Sequence, residues 1–177
     1  QPVAIALDLA TIAVAELADI SEARIDRMTN GHTSGLPPFL ASNPGTDSGF
    51  MVAQYTAAAL VTENRLRAFP ASVESMPTSA GIEDHVSMGV HAAHKLAAVA
   101  RSTRDVLAIE ALCAAQGLDL LSARTAPGAE EARRVIREHV PALLHDRALA
   151  PDIALISDVI GRELLISAVR VRVPDLQ

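Results

Sequence analysis

The chain has 177 residues, half of them hydrophobic, with a formal net charge of -6. That length suits one domain with a sizeable core, the apolar content excludes a disordered chain, and the acidic balance without a basic stripe excludes a nucleic-acid footprint. Aromatic residues are confined to Phe39, Phe50, Tyr55 and Phe69, with no Trp, while Ala is abundant. A core built this way needs aliphatic helices that approach closely, so an all-α bundle is expected.

From Pro2 to about Met28 the sequence predicts one helix, because Pro is tolerated at the first helical position and Asn30-Gly31 supplies a stop. Over its first five turns Asp8, Thr11, Glu16 and Asp19 fall on one stripe and nearly everything else is apolar. Such a helix needs partners on several sides, which points to burial between subunits. The charges in Val3 to Ile20 also make it too polar for a membrane span. Gln1 is not an initiator Met, and the chain is expected to be a part of something longer. With no secretory signal and a single Cys113 on the apolar side of a predicted helix, a soluble cytoplasmic protein with a buried, inert thiol is expected.

Asn30 to Ser48, with Pro37-Pro38 and Asn43-Pro44-Gly45, reads as a loop. A second helix is predicted from about Ser48 to Arg67, on which Tyr55, the only tyrosine, is assigned to packing. Phe69 to Ile82, rich in Pro, Ser and Thr, is a further loop. It delivers the chain to Glu83-Asp84-His85 and a long helix from about His85 to Leu121, about 54 Å at 1.5 Å per residue. Met88, Ala92, Leu96, Val99, Val106, Ile109 and Cys113 form its apolar face. A helix of this length belongs to a long bundle or an oligomer core. Asp84 is the expected N-cap, which sets Glu83 at the positive end of the helix dipole, worth a few tenths to about 1 kcal/mol for an anion. Residues 126–177 read as a peripheral cap on a core of residues 1–125: a charged amphipathic helix from Ala129 to Val140, a last helix from Pro151 to about Leu165, and a tail from Ser167 readable as strand or frayed end.

Little of this is chemistry on its own terms. His91-x-x-His94, with His85, Glu83 or Asp84 nearby, lacks the spacing of zinc hydrolases or carboxylate-bridged di-metal bundles, and a solvated face with Lys95 and Arg101 accounts for it; no metal is expected. No nucleophile elbow and no phosphate-binding glycine loop occurs. A loop acid such as Glu83 is, taken alone, a cap or a solvated carboxylate.

Five ordered segments change this reading: Pro70-Ala71-Ser72-Val73-Glu74-Ser75, Glu83-Asp84-His85-Val86-Ser87-Met88, Val106-Leu107-Ala108-Ile109-Glu110, Ala115-Gln116-Gly117-Leu118-Asp119 and, with less weight, Leu36-Pro37-Pro38-Phe39-Leu40. Together they resemble the C-terminal part of the histidine ammonia-lyases, from Pro2 to about Ile153. The resemblance implies the long-helix superhelical fold shared with fumarase-like enzymes, a homotetramer with active sites shared between subunits, and elimination of ammonia from L-histidine to give trans-urocanate. It sets Glu83 on the carboxylate that lines the substrate pocket, where relatives acting on phenylalanine or tyrosine usually carry an amide. A carboxylate there can accept a hydrogen bond from an imidazole N–H or an ammonium. One departure is Ile82, where many histidine enzymes carry Gln.

The family's electrophile is a methylideneimidazolone formed from Ala-Ser-Gly. Here Ala41-Ser42 is followed by Asn43 and Ala71-Ser72 by Val73, so the group, the catalytic tyrosines and the substrate-carboxylate Arg are expected upstream of Gln1. Alone, this chain is expected to be inactive. The alternatives are a tyrosine or phenylalanine ammonia-lyase or aminomutase of the same family, and a non-catalytic helical oligomerisation module.

Overall fold

The structure is a computed structural model that describes residues 1–121 and 125–176. Among these residues there are seven α-helices and no strand: α1 (Pro2–Thr29), α2 (Gly31–Ser34), α3 (Met51–Arg67), α4 (Gly89–Leu121), α5 (Pro127–His139), α6 (Ala150–Gly161) and α7 (Leu164–Arg172). The chain divides into two compact units, one of residues 1–20 and 59–103, the other of residues 21–58 and 104–177.

In the first unit small side chains make the interior. Ala4, Ala15 and Ala18 of α1 are buried, as are Val61 of α3 and Ala92 and Val99 of α4. Helices lined with alanine pack close, because interaxial distance follows the size of the contact residues. Two residues of the polar stripe of α1 turn inward with them: Asp8 and Thr11 are buried, while Glu16 is exposed and the half-buried Asp19 is paired with Arg65 at 3.1 Å. Thr11 closes its hydroxyl onto the Leu7 carbonyl at 2.8 Å, so its burial leaves no unmet donor. The large aliphatic residues point outward instead, with Val3, Ile5, Leu9, Leu17 and Ile20 all exposed on this chain. Lower in the unit Asn64 is buried, donating to Thr103 Oγ1 at 3.2 Å and accepting from the Ser102 hydroxyl.

In the second unit the core is aliphatic and continuous in type: Ile25, Leu40, Phe50, Val106, Ile109, Leu112, Val135, Ile136, Ile156 and Val159 are buried. Cys113 lies among them, and burial pushes its thiol far above the ordinary range, with Glu110 adding to the effect. It is a packing residue. On α3 the buried line runs through Ala53, Ala57 and, in the first unit, Val61 and Asn64. Tyr55 falls off that line and is exposed, which corrects its assignment to packing.

The tail also differs from expectation. The expected last helix is two, α6 and α7, broken where Glu163 takes φ 59°, and Val169 to Arg172 are helical. Alternating Val and Arg suggested a strand, but no neighbouring strand is present among the described residues to pair with it.

Candidate functional site

Glu83 sits in the loop between α3 and α4, in the first unit. Helix α4 starts at Gly89, so Asp84 is not its N-cap and Glu83 is not at its positive end. The reason is non-local. The Val86 N–H donates to Ser75 Oγ at 3.0 Å, and the Ser75 hydroxyl donates back to the Val86 carbonyl at 3.4 Å. These bonds hold residues 84–88 out of the helix that their periodicity favours.

Inside that rung lies a second one. Thr78 and Glu83 form an antiparallel pair, with Thr78 N–H to Glu83 O at 2.9 Å and Glu83 N–H to Thr78 O at 3.3 Å. The turn they close, Ser79-Ala80-Gly81-Ile82, has φ of 51°, 53° and 87° at its first three residues. Gly81 adopts this at little cost; Ser79 and Ala80 do so only because the two rungs over-determine them. The Thr78 hydroxyl donates to Glu83 Oε2 at 3.0 Å, while Oε1 has no bond among the described residues. The arrangement is therefore an exposed carboxylate, one oxygen tied to its own turn and the other open.

The base of the same loop is anchored by Asp8. Its Oδ2 accepts the Ser72 N–H at 2.7 Å and its Oδ1 accepts from Lys95 Nζ at 2.9 Å. Lys95 also donates to the Phe69 carbonyl, and Gln1 Nε2 donates to the Ser72 carbonyl at 2.7 Å. Burial pushes the Asp8 carboxyl up, but the Ser72 N–H and the Lys95 ammonium outweigh it and hold the group at about 2. Lys95 is thus turned inward, not part of the solvated face expected with His91 and His94. Those two histidines and His85 are exposed, and His85 precedes the helix instead of opening its first turn. Among the described residues no group of three or more His, Cys, Asp or Glu is placed to hold a metal ion.

The second unit contains a feature that sequence reasoning left without a role. In Leu36–Leu40, Phe39 and Leu40 have φ of 54° and 57°, and the Phe39 carbonyl accepts the Phe50 N–H at 2.8 Å. Gln116 is buried, donates to the Leu40 and Leu143 carbonyls at 3.4 and 3.0 Å and accepts the Leu143 N–H at 3.0 Å. Asp146 accepts the Ser48 and Gly49 N–H groups at 2.7 and 2.9 Å, which hold its carboxyl below the usual carboxylate range. Beside this turn a cavity of about 510 Å³ is lined by Asp26, Asn30, His32, Phe39 and Gln54, among others.

An exposed carboxylate on a closed loop ahead of a long helix is compatible with many chemistries, and comparisons with known proteins narrow them. The profile described as aromatic amino acid lyase matches residues 1–138. A histidine ammonia-lyase of Symbiobacterium thermophilum is 54% identical over 170 residues, 96% of this chain and 34% of that protein. The crystal structure of histidine ammonia-lyase from Trypanosoma cruzi superposes with a TM-score of 0.93 at 43% identity, covering 97% of this chain and 34% of that one. Tyrosine aminomutase from Streptomyces globisporus superposes with a TM-score of 0.94 at 41% identity, covering 100% and 34%. The chain belongs to the aromatic amino acid lyase family, and it spans about a third of the length of the relatives it matches.

Proposed function

We propose that this chain is the C-terminal part of a histidine ammonia-lyase, a cytoplasmic enzyme that eliminates ammonia from L-histidine to give trans-urocanate. The observation that carries the reading is the Glu83 carboxylate, with Oε2 held by Thr78 and Oε1 open. An acceptor fixed in this way suits a donor on the substrate, an imidazole N–H or an ammonium, and the bond is charge-assisted in either case. The family's methylideneimidazolone supplies the electrophile of such reactions; this chain has no Ala-Ser-Gly, so its residues do not fit that group, and the remainder of the protein must hold it. What this chain contributes is substrate orientation and structure. The association expected is a homotetramer whose core is built from residues 1–125, with residues 126–177 outside it; the exposed aliphatic face of α1 supports association as such.

The test is turnover of L-histidine by the complete protein, followed by urocanate absorbance, for the natural sequence and for Glu83→Gln. Urocanate formation with a loss of about 10- to 100-fold in kcat/KM in the variant is expected. Conversion of L-tyrosine to coumarate or β-tyrosine without urocanate overturns the histidine assignment in favour of a tyrosine lyase or aminomutase, a reading supported by the likeness to tyrosine aminomutase. A complete reading frame without Ala-Ser-Gly overturns both, leaving a helical oligomerisation module.

A further inference from the structure

We propose that Thr78 is a positioning residue that holds one carboxylate oxygen of Glu83 and leaves the other to face substrate; the inference rests on Glu83 meeting the substrate. The geometry is specific. The Thr78 hydroxyl has one proton to donate, and it goes to one carboxylate oxygen of Glu83 at 3.0 Å. The backbones of the two residues are locked together by a reciprocal pair of N–H to carbonyl bonds, which keeps the hydroxyl and the carboxylate within reach of each other. Ser75 and Val86 close the loop again outside that pair. With Oε2 tied to Thr78, Oε1 is the oxygen left open.

The consequence follows from the side-chain inventory. A carboxylate offers acceptors on both arms, so tying one arm leaves an acceptor open. An amide at the same place has one acceptor arm and one donor arm. A hydroxyl both donates and accepts, so Thr78 can pair with either arm of an amide and leave the other outward. The exchange of Glu for Gln at position 83 thus removes both the charge and the fixed polarity toward substrate.

This makes a prediction that a purely structural threonine does not. Thr78→Val keeps the β-branched shape and both backbone bonds but removes the hydroxyl; Thr78→Ser keeps the hydroxyl. In the complete protein, Thr78→Val in the Glu83 background is expected to lower kcat/KM for L-histidine on the order of tenfold, and Thr78→Ser to restore it to within about threefold. In the Glu83→Gln background the same Thr78→Val change is expected to alter kcat/KM by less than about twofold, because the hydroxyl pairs with either arm of the amide and no longer selects which one faces substrate. A double-mutant cycle of the four proteins, with thermal melts to confirm equal folding, reads this coupling directly. Thr78→Val lowering both backgrounds by the same factor, or neither, overturns the role assigned to Thr78. Glu83→Gln without effect on histidine turnover overturns the prior reading of Glu83 itself, so the two failures are distinguishable.

Discussion

Asp8 is an acid on the inside of a helix, and its surroundings explain why it stays there. The Ser72 N–H and Lys95 hold its carboxyl at about 2, below the ordinary 3.8, against the opposing effect of burial. A group whose folded-state value is depressed stabilises the fold above its unfolded value and loses that contribution as pH falls through the folded one. The window is therefore about pH 4 down to about 2, and the contribution above it is about 2 kcal/mol at 1.36 kcal/mol per unit. Asp8→Asn is expected to lower the urea midpoint near neutrality, and the gap between the two proteins should narrow as pH falls through that window. A gap that stays constant from pH 7 to pH 2 would show that the charge contributes nothing. At the same scale Glu83 and Thr78 show what one sequence can and cannot reveal. Glu83 became a candidate only through the resemblance to a family, since a loop acid has no local signature. Thr78 was not legible at all: its link to Glu83 exists only once the Ser79-Ala80-Gly81 turn has folded back, and φ values above 50° at Ser and Ala have no sequence signal.

Helices were the legible elements. The 3.6-residue periodicity of α1, α3 and α4 comes from the packing it encodes, and the expected spans agree with the observed ones except at ends decided by long-range bonds. The start of α4 is the clearest case, delayed to Gly89 by side chain to backbone bonds from Ser75 across the loop. The Phe39–Leu40 turn is the other. Its backbone is strained, and it persists because Gly49 lets the Phe39 carbonyl come close: a Cβ on Gly49 would lie 2.4 Å from that oxygen, at a backbone φ of 57°. Gly49→Ala must then shift the turn, release the Phe50 N–H and disturb the two N–H groups that Asp146 holds. A loss of about 3 kcal/mol or more is expected, read as a lowered melting temperature. A melting temperature within about a degree of the natural protein would mean that the turn relaxes freely.

At the scale of the whole molecule, the composition correctly indicated an all-α chain of small aliphatic residues, while the inward side of α1 was not foreseeable from polarity. A stripe containing Asp8 and Thr11 would ordinarily face water. Here the large residues Leu9 and Leu17 are the exposed ones, 66% and 57% accessible. If that face is covered by other copies of the chain, Leu9→Glu together with Leu17→Glu should shift the complete protein from tetramer toward smaller species in light scattering, with helical content by circular dichroism retained. An unchanged mass would remove α1 from the interface.

The ion pair of Asp8 with Lys95 also bears on synthesis. The two residues are 87 positions apart, and Ser72, the other anchor of Asp8, is 64 positions away. At 5–20 residues per second a ribosome takes roughly 4–17 s to travel from the codon for Asp8 to that for Lys95. Throughout that interval α1 has no Lys95 to balance its acid, and it gains a neighbour for its alanines only once α3 has been made. The buried charge of Asp8 is thus completed late in synthesis, when the first turns of α4 emerge.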